Sequence, residues 1–237
     1  MTKRLGPVVT CVACALLLCT RPADAQQTFN VTFGYLTVRG EDARVDRDIL
    51  NEDRNFLSFD HTDFNGMAIG GEWLVPIGSF FEAGAGIGFS RRSVPSVYER
   101  FVDSDGSEIE QDLRLRMMPI AFTVRVLPIG SGGVLQPYFG GGIAVINWRY
   151  SESGEFVDFQ NRNAIFRDQY VSSGNATAPV ALGGLRFVVG SLSTAMEVRY
   201  QSAAADLGRR FAALEPNPRI DLGAWAFQFT IGTRFGS

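Results

Sequence analysis

The chain has 237 residues, 46% of them hydrophobic, with 26 glycines and a formal charge of −3. That length fits one β-rich domain. Past the N-terminal segment no apolar run approaches the ~18 residues a membrane helix needs, which excludes a helical membrane protein. The acidic balance and the lack of a basic stripe argue against nucleic acid as a partner.

Lys3 and Arg4 precede an apolar run from Val8 to Leu18, and Ala23-Asp24-Ala25 forms a small-x-small site before Gln26. Residues 1–25 therefore read as a cleaved signal peptide, with residues 26–237 as one domain. Cys11, Cys14 and Cys19 all lie in the leader, so the mature chain is expected to have no disulfide or thiol chemistry. Cleavage also removes Lys3, Arg4, Arg21 and Asp24. The count falls from 22 basic and 25 acidic residues to 19 and 24, a formal charge of −5.

The first predicted strand, Thr28 to Val38, alternates Phe29, Val31, Phe33 and Tyr35 with Asn30, Thr32, Gly34 and Leu36. A charged connection over 39–64 follows, without an apolar stripe. The next two strands, Asn65 to Val75 and Phe80 to Arg91, form a hairpin about Pro76-Ile77-Gly78-Ser79. One of its faces is apolar. The other holds glycines with Glu72 and Glu82. After a polar loop over 92–111, the strand Leu113 to Val126 changes phase midway: Leu113, Leu115 and Met117 give way to Ile120, Phe122, Val124 and Val126. Such a switch predicts a bulge at Met117-Met118-Pro119, with Arg114, Arg116 and Arg125 on the polar face.

The strand Pro137 to Tyr150 ends in Trp148 and Tyr150, residue types that favour the headgroup region. A loop over 151–175, a strand from Thr177 to Val189, the turn Gly190-Ser191, a strand from Leu192 to Gln201 and a connection over 202–220 complete the count before the last strand. There Trp225, Phe227, Phe229, Ile231 and Phe235 alternate with Ala226, Gln228, Thr230, Gly232 and Arg234. A water-soluble barrel with a ligand cavity would place its bulky apolar residues inside and its charges outside. Here the small and polar face suits a crowded interior, and the greasy face suits lipid.

Eight strands with alternating long and short connections predict an all-β fold: an eight-stranded antiparallel up-and-down transmembrane β-barrel, with both termini on the turn side. The signal peptide, the glycine-rich PYFGGGIAV at 137–145, the alternating hairpins and a final strand closing near Phe235 resemble the small outer-membrane barrels of Gram-negative bacteria, the group around the OmpA transmembrane domain, OmpX and OmpW. The resemblance implies an outer-membrane location with periplasmic termini and extracellular loops. It also implies contact with outer-membrane lipid and lipopolysaccharide, and help from the barrel assembly machinery during biogenesis. No cofactor or metal is implied.

An eight-stranded lumen is only wide enough for side chains, so charges in it must pair. The expected lumen network comprises Glu72, Glu82, Arg114, Arg116, Arg125, Arg186, Glu197, Arg199 and Arg234, and the expected membrane-interface aromatics are Trp73, Phe81, Trp148, Tyr150, Tyr200, Trp225 and Phe235. The corresponding function is a structural or surface-interacting barrel with a filled lumen and no enzymatic role. Three alternatives stand beside it. The arginines could line a narrow porin or transporter for small solutes. The lone His61 could be the base of a lipid A-modifying enzyme. The acidic runs from Glu41 to Asp53 and from Asp103 to Glu110 could hold calcium, although DSDGSEIE in the second lacks the full spacing of a calcium loop.

Overall fold

The computed structural model describes residues 26–159, 161–211 and 216–236. The signal-peptide reading of residues 1–25 lies outside these. The described residues form ten strands: β1 (Gln27–Val38), β2 (Gly66–Ile77), β3 (Phe81–Val102), β4 (Glu108–Val126), β5 (Leu135–Asp158), β6 (Ala164–Val189), β7 (Leu192–Gln201), β8 (Ala204–Asp206), β9 (Arg219–Asp221) and β10 (Ala224–Phe235). Eight of them pair antiparallel in the ring β1, β10, β7, β6, β5, β4, β3, β2, which closes on itself. Closure is made by β1 and β10, in register from Gln27 opposite Phe235 to Val38 opposite Ala224. The short β8 and β9 form a separate hairpin in the last long connection.

The outer face carries a continuous exposed apolar belt, including Phe33 on β1, Ile69 on β2, Phe122 on β4, Ile143 on β5, Met196 on β7 and Phe229 on β10. These residues alternate with buried ones, so each strand has one face outward and one inward. A belt of this kind has no stable home in water. It is the lipid-facing surface of a transmembrane barrel.

The strands run well beyond that belt. The regions 92–111 and 151–175, expected to be loops, are largely strand: β3 and β4 pair as far as Val102 opposite Glu108, and β5 and β6 as far as Asp158 opposite Ala164. Ladder hydrogen bonds need only backbone, so a hairpin continues into water with polar side chains on its outer face. Hydrophobic alternation, the signal used to place the strands, simply ends at the edge of the belt.

The bulge expected at Met117-Met118-Pro119 is absent. Ile87 faces Ile120 and Ser90 faces Met117 at one offset, and β4 pairs with β5 without a break from Gln111 opposite Gly154 to Val126 opposite Phe139. What changes at Met117 is the surroundings. Below it the outside is lipid and the inside polar; above it the outside is water and the inside apolar. Leu113, Leu115 and Met117 therefore point inward in unbroken phase with Ala121, Thr123 and Arg125.

That upper interior holds a hydrophobic core of Leu113, Leu115, Ile146, Trp148 and Tyr150, roofed by Ile49, Leu50, Leu57 and Phe64 from the first connection and by Phe211 from the last. The first connection, expected to be a polar loop, thus folds into a lid containing the short helix α1 (Ile49–Asp53). Its few apolar residues have no period because they lie on irregular backbone, yet they suffice to cover an apolar floor.

Candidate functional site

The lower lumen is filled from six strands. Arg125 on β4 reaches Glu72 on β2 at 2.5 Å and Glu197 on β7 at 2.7 Å. Arg199 on β7 closes the circuit, at 3.1 Å from Glu72 and 2.8 Å from Glu197. Two guanidiniums and two carboxylates thus alternate in a neutral ring. Beside it, Arg186 on β6 grips Glu82 on β3 through two hydrogen bonds, one of 2.7 Å between Nη1 and Oε1. Tyr138 on β5 lies between the two groups. Its hydroxyl donates to Glu197 at 2.9 Å, and the guanidinium carbons of Arg125 and Arg186 lie 4.6 and 5.5 Å from its ring centre.

Arg125 is only 2% exposed. In so confined a space each charge depends on its partners, since an isolated ion is costly there. Arg234 lies on the inner face of β10, nearer the end of the barrel where β1 begins. The other lumen charges are paired and sum to zero.

Four of the expected site residues belong elsewhere. Arg114 and Arg116 are on the outer face of β4, because the strand keeps its phase and their inward neighbours are Leu113, Leu115 and Met117. Trp148 and Tyr150, expected at the membrane interface, are 2% and 0% exposed and sit in the upper core, in phase with Ala144 and Ile146. The remaining aromatics, Trp73, Phe81, Tyr200, Trp225 and Phe235, do lie on the outer face of the barrel. Tyr200 packs against Trp225, with ring centres 4.6 Å apart, and its hydroxyl accepts a hydrogen bond from Arg39.

The true positions of Arg114 and Arg116 reveal a feature the sequence hid. Arg91, Arg116 and Arg149 stand directly opposite one another on β3, β4 and β5, all on the outer face at the upper edge of the belt. Directly opposed side chains on neighbouring strands are ~5 Å apart, and like charges there repel. Arg116 donates to Asn147 at 3.1 Å. Among the described residues none of the three forms an ion pair with a carboxylate. Arg114 is the exception in this patch, paired with Asp112.

Above the belt, polar links hold the lid to the last connection. Asp48, fully buried, pairs with Arg44 and accepts from the backbone N–H of Asp221 at 2.6 Å. Asp221 in turn takes Arg39 at 3.2 Å. The acids once considered for calcium are thus partly engaged in the lid, and Asp105 closes its own turn by accepting from the Ser107 amide at 2.9 Å. Among the described residues, no three His, Cys, Asp or Glu come together as a metal set. His61 is buried in the lid, its Nδ1 3.4 Å from Arg54, and burial together with the Arg44 and Arg54 charges lowers its pKa.

One pair in this upper chamber escaped sequence reading altogether. Asp53, at the end of α1, and Glu152, on the inner face of β5 above the belt, bring their carboxyls together beside the Tyr150 hydroxyl, which donates to Asp53 at 3.2 Å. Burial, with the Glu152 charge beside it, pushes Asp53 well above the ordinary carboxylate range, and burial pushes Glu152 up to about 7 against the lowering effect of its hydrogen bonds to Tyr150 and Asp53. The phase of β5, carried past Val145, would have put Glu152 inside; no local signal would have brought Asp53 to it.

A carboxyl whose pKa is raised by folding holds its proton more tightly in the folded state, so its stabilising contribution is complete at low pH. That contribution fades as pH rises from the ordinary value near 4.5 through about 7. Hydrogen exchange of the α1 amides, corrected for intrinsic rates, is therefore expected to show a looser lid at pH 8 than at pH 5. Asp53→Asn is expected to flatten that difference, and equal protection at both pH values in the native protein would contradict it.

A closed antiparallel ring of eight strands, an apolar exterior and a paired polar interior define a small transmembrane β-barrel of the outer-membrane type. No protein-family model and no curated protein matches the chain. Among solved structures the fold is similar to that of Ail, the attachment invasion locus protein of Yersinia pestis, at 10% identity and a TM-score of 0.46, covering 90% of this chain and 100% of that one. It is also similar to Neisserial surface protein A, at 10% and 0.46 with coverage of 88% and 97%. The N-terminal β-barrel domain of Pseudomonas aeruginosa OprF follows at 14% and 0.36, with coverage of 89% and 99%. Identities and scores this low carry nothing further, and the class rests on the closure and surface of the barrel itself.

Proposed function

We propose that the protein is an integral outer-membrane barrel of a Gram-negative bacterium, with a sealed transmembrane segment and a structural or surface-interacting role carried by the part that projects outside. The observation that carries this reading is the lower lumen: a neutral ring of Glu72, Arg125, Glu197 and Arg199 inside a lipid-facing belt. A sealed barrel conducts nothing, so its working surface is its exterior.

Chain topology and charge support an orientation with the long hairpins outside. The start of β1, the end of β10 and the short turns lie at one end, the periplasmic end of such barrels, and the long hairpins and lid lie at the other. The row Arg91, Arg116 and Arg149 at the belt's upper edge suits a leaflet rich in phosphate, as lipopolysaccharide is, because guanidinium pairs well with phosphate. In biogenesis the chain would depend on the barrel assembly machinery. We assign it no enzymatic role.

Planar-bilayer recording tests the sealed lumen. The expected trace for purified, refolded protein is flat at ±100 mV, apart from rare brief events. Long-lived, uniform conductance steps would make the protein a narrow porin and remove the proposal.

A further inference from the structure

Outside the belt, between α1 and the inner faces of β3 to β6, lies a partly open cavity of about 390 Å³. Asp53 and Glu152 lie on its polar side together with Glu52 and Asp158, and Phe56, Tyr98, Phe156 and Tyr170 contribute rings around them. Glu152 is 1% exposed, and its Oε1 has no hydrogen-bond partner. Among the described residues neither Asp53 nor Glu152 forms an ion pair, although every buried acid of the lower lumen does. Phe56 is itself exposed, so the wall it builds reaches the surface.

We propose that this cavity binds a small organic cation, an ammonium group on an apolar body, with Asp53 and Glu152 as counter-charges and the aromatic rings as walls. Glu152 Oε1, buried and without a donor, beside the carboxyl of the half-buried Asp53, is satisfied best by a group bringing both charge and N–H bonds. Aromatic faces attract the same cation and shelter the apolar remainder. The volume falls within the usual small-molecule range, about 300–1,000 Å³. Calcium fits poorly, since it takes about 6–8 oxygen ligands and among the described residues no three His, Cys, Asp or Glu come together here as a metal set. The inference does not depend on the sealed lumen.

The test uses the full mature protein, refolded in detergent, with benzylammonium chloride as the probe and benzyl alcohol as its neutral counterpart of similar shape. Saturation-transfer NMR and calorimetry at pH 8 are expected to show saturable binding of benzylammonium, at least tenfold tighter than benzyl alcohol. Glu152→Gln and Asp53→Asn should each weaken it at least tenfold while keeping heat-modifiable migration in gels. Phe56→Ala, which leaves the carboxyls in place, should weaken it several-fold, and it decides the matter should either carboxyl variant fail to fold. Absence of saturable binding, equal affinity for the neutral probe, or undiminished affinity in the folded variants would overturn the proposal and leave a purely structural carboxyl pair.

Discussion

Arg125→Met is expected to be the most damaging single change in the lower lumen, lowering stability by about 3–5 kcal/mol. The guanidinium bridges Glu72 and Glu197, and its loss leaves Arg199 alone between two carboxylates. The Tyr138 ring loses its nearer cation as well. Methionine fills much of the volume, so the loss reports charge more than a cavity. Adding Glu72→Gln restores one cation to one anion and is expected to recover most of the deficit. Urea unfolding in detergent, followed by Trp fluorescence, measures both. A single variant within 1 kcal/mol of the native protein would mean that water already screens these charges, and the picture of a dry, paired plug would fail.

The second large effect is expected from Gly142→Val. A Cβ built at this position lies 1.9 Å from the carbonyl oxygen of Phe122 and 2.8 Å from the Cα of Thr123, both backbone atoms of β4. Gly140 meets the same strand in the same way, 2.1 Å from the Val124 oxygen. Backbone on a closed ladder cannot swing aside as a side chain does, so β4 and β5 would have to part where they pair without interruption. The expected outcome is failure to refold to the heat-modifiable form, against clean refolding of a control such as Ile143→Val, which only trims an outward, lipid-facing side chain. Normal refolding of Gly142→Val would show that the inward face at β4 and β5 is looser than this geometry allows.

Both residues lie where hydrophobic alternation is clearest, and there the sequence reading and the structure agree on which way side chains point. Glu72, Glu82, Arg125, Arg186, Glu197 and Arg199 could be placed inside from parity alone, because lipid enforces a strict period of two on the opposite face. Arg114, Arg116, Trp148 and Tyr150 could not. Above the belt the solvent changes from lipid to water, and the apolar residues cross to the interior without any change of register. A phase switch in the sequence is thus produced equally by a bulge and by a new environment, and only the pairing of β4 with β5 separates them.

The linear chain, then, determined the strand count over the belt, the closure by an aromatic last strand and the inward set of charges, since each depends on alternation along one strand. Tertiary structure alone decided which carboxylate meets which guanidinium, the arginine row across three strands, and the meeting of Asp53 with Glu152 beneath the lid. Apart from Arg199 with its near neighbour Glu197, those contacts join residues from 25 to 127 positions apart, and no local period encodes a distance across a closed ring.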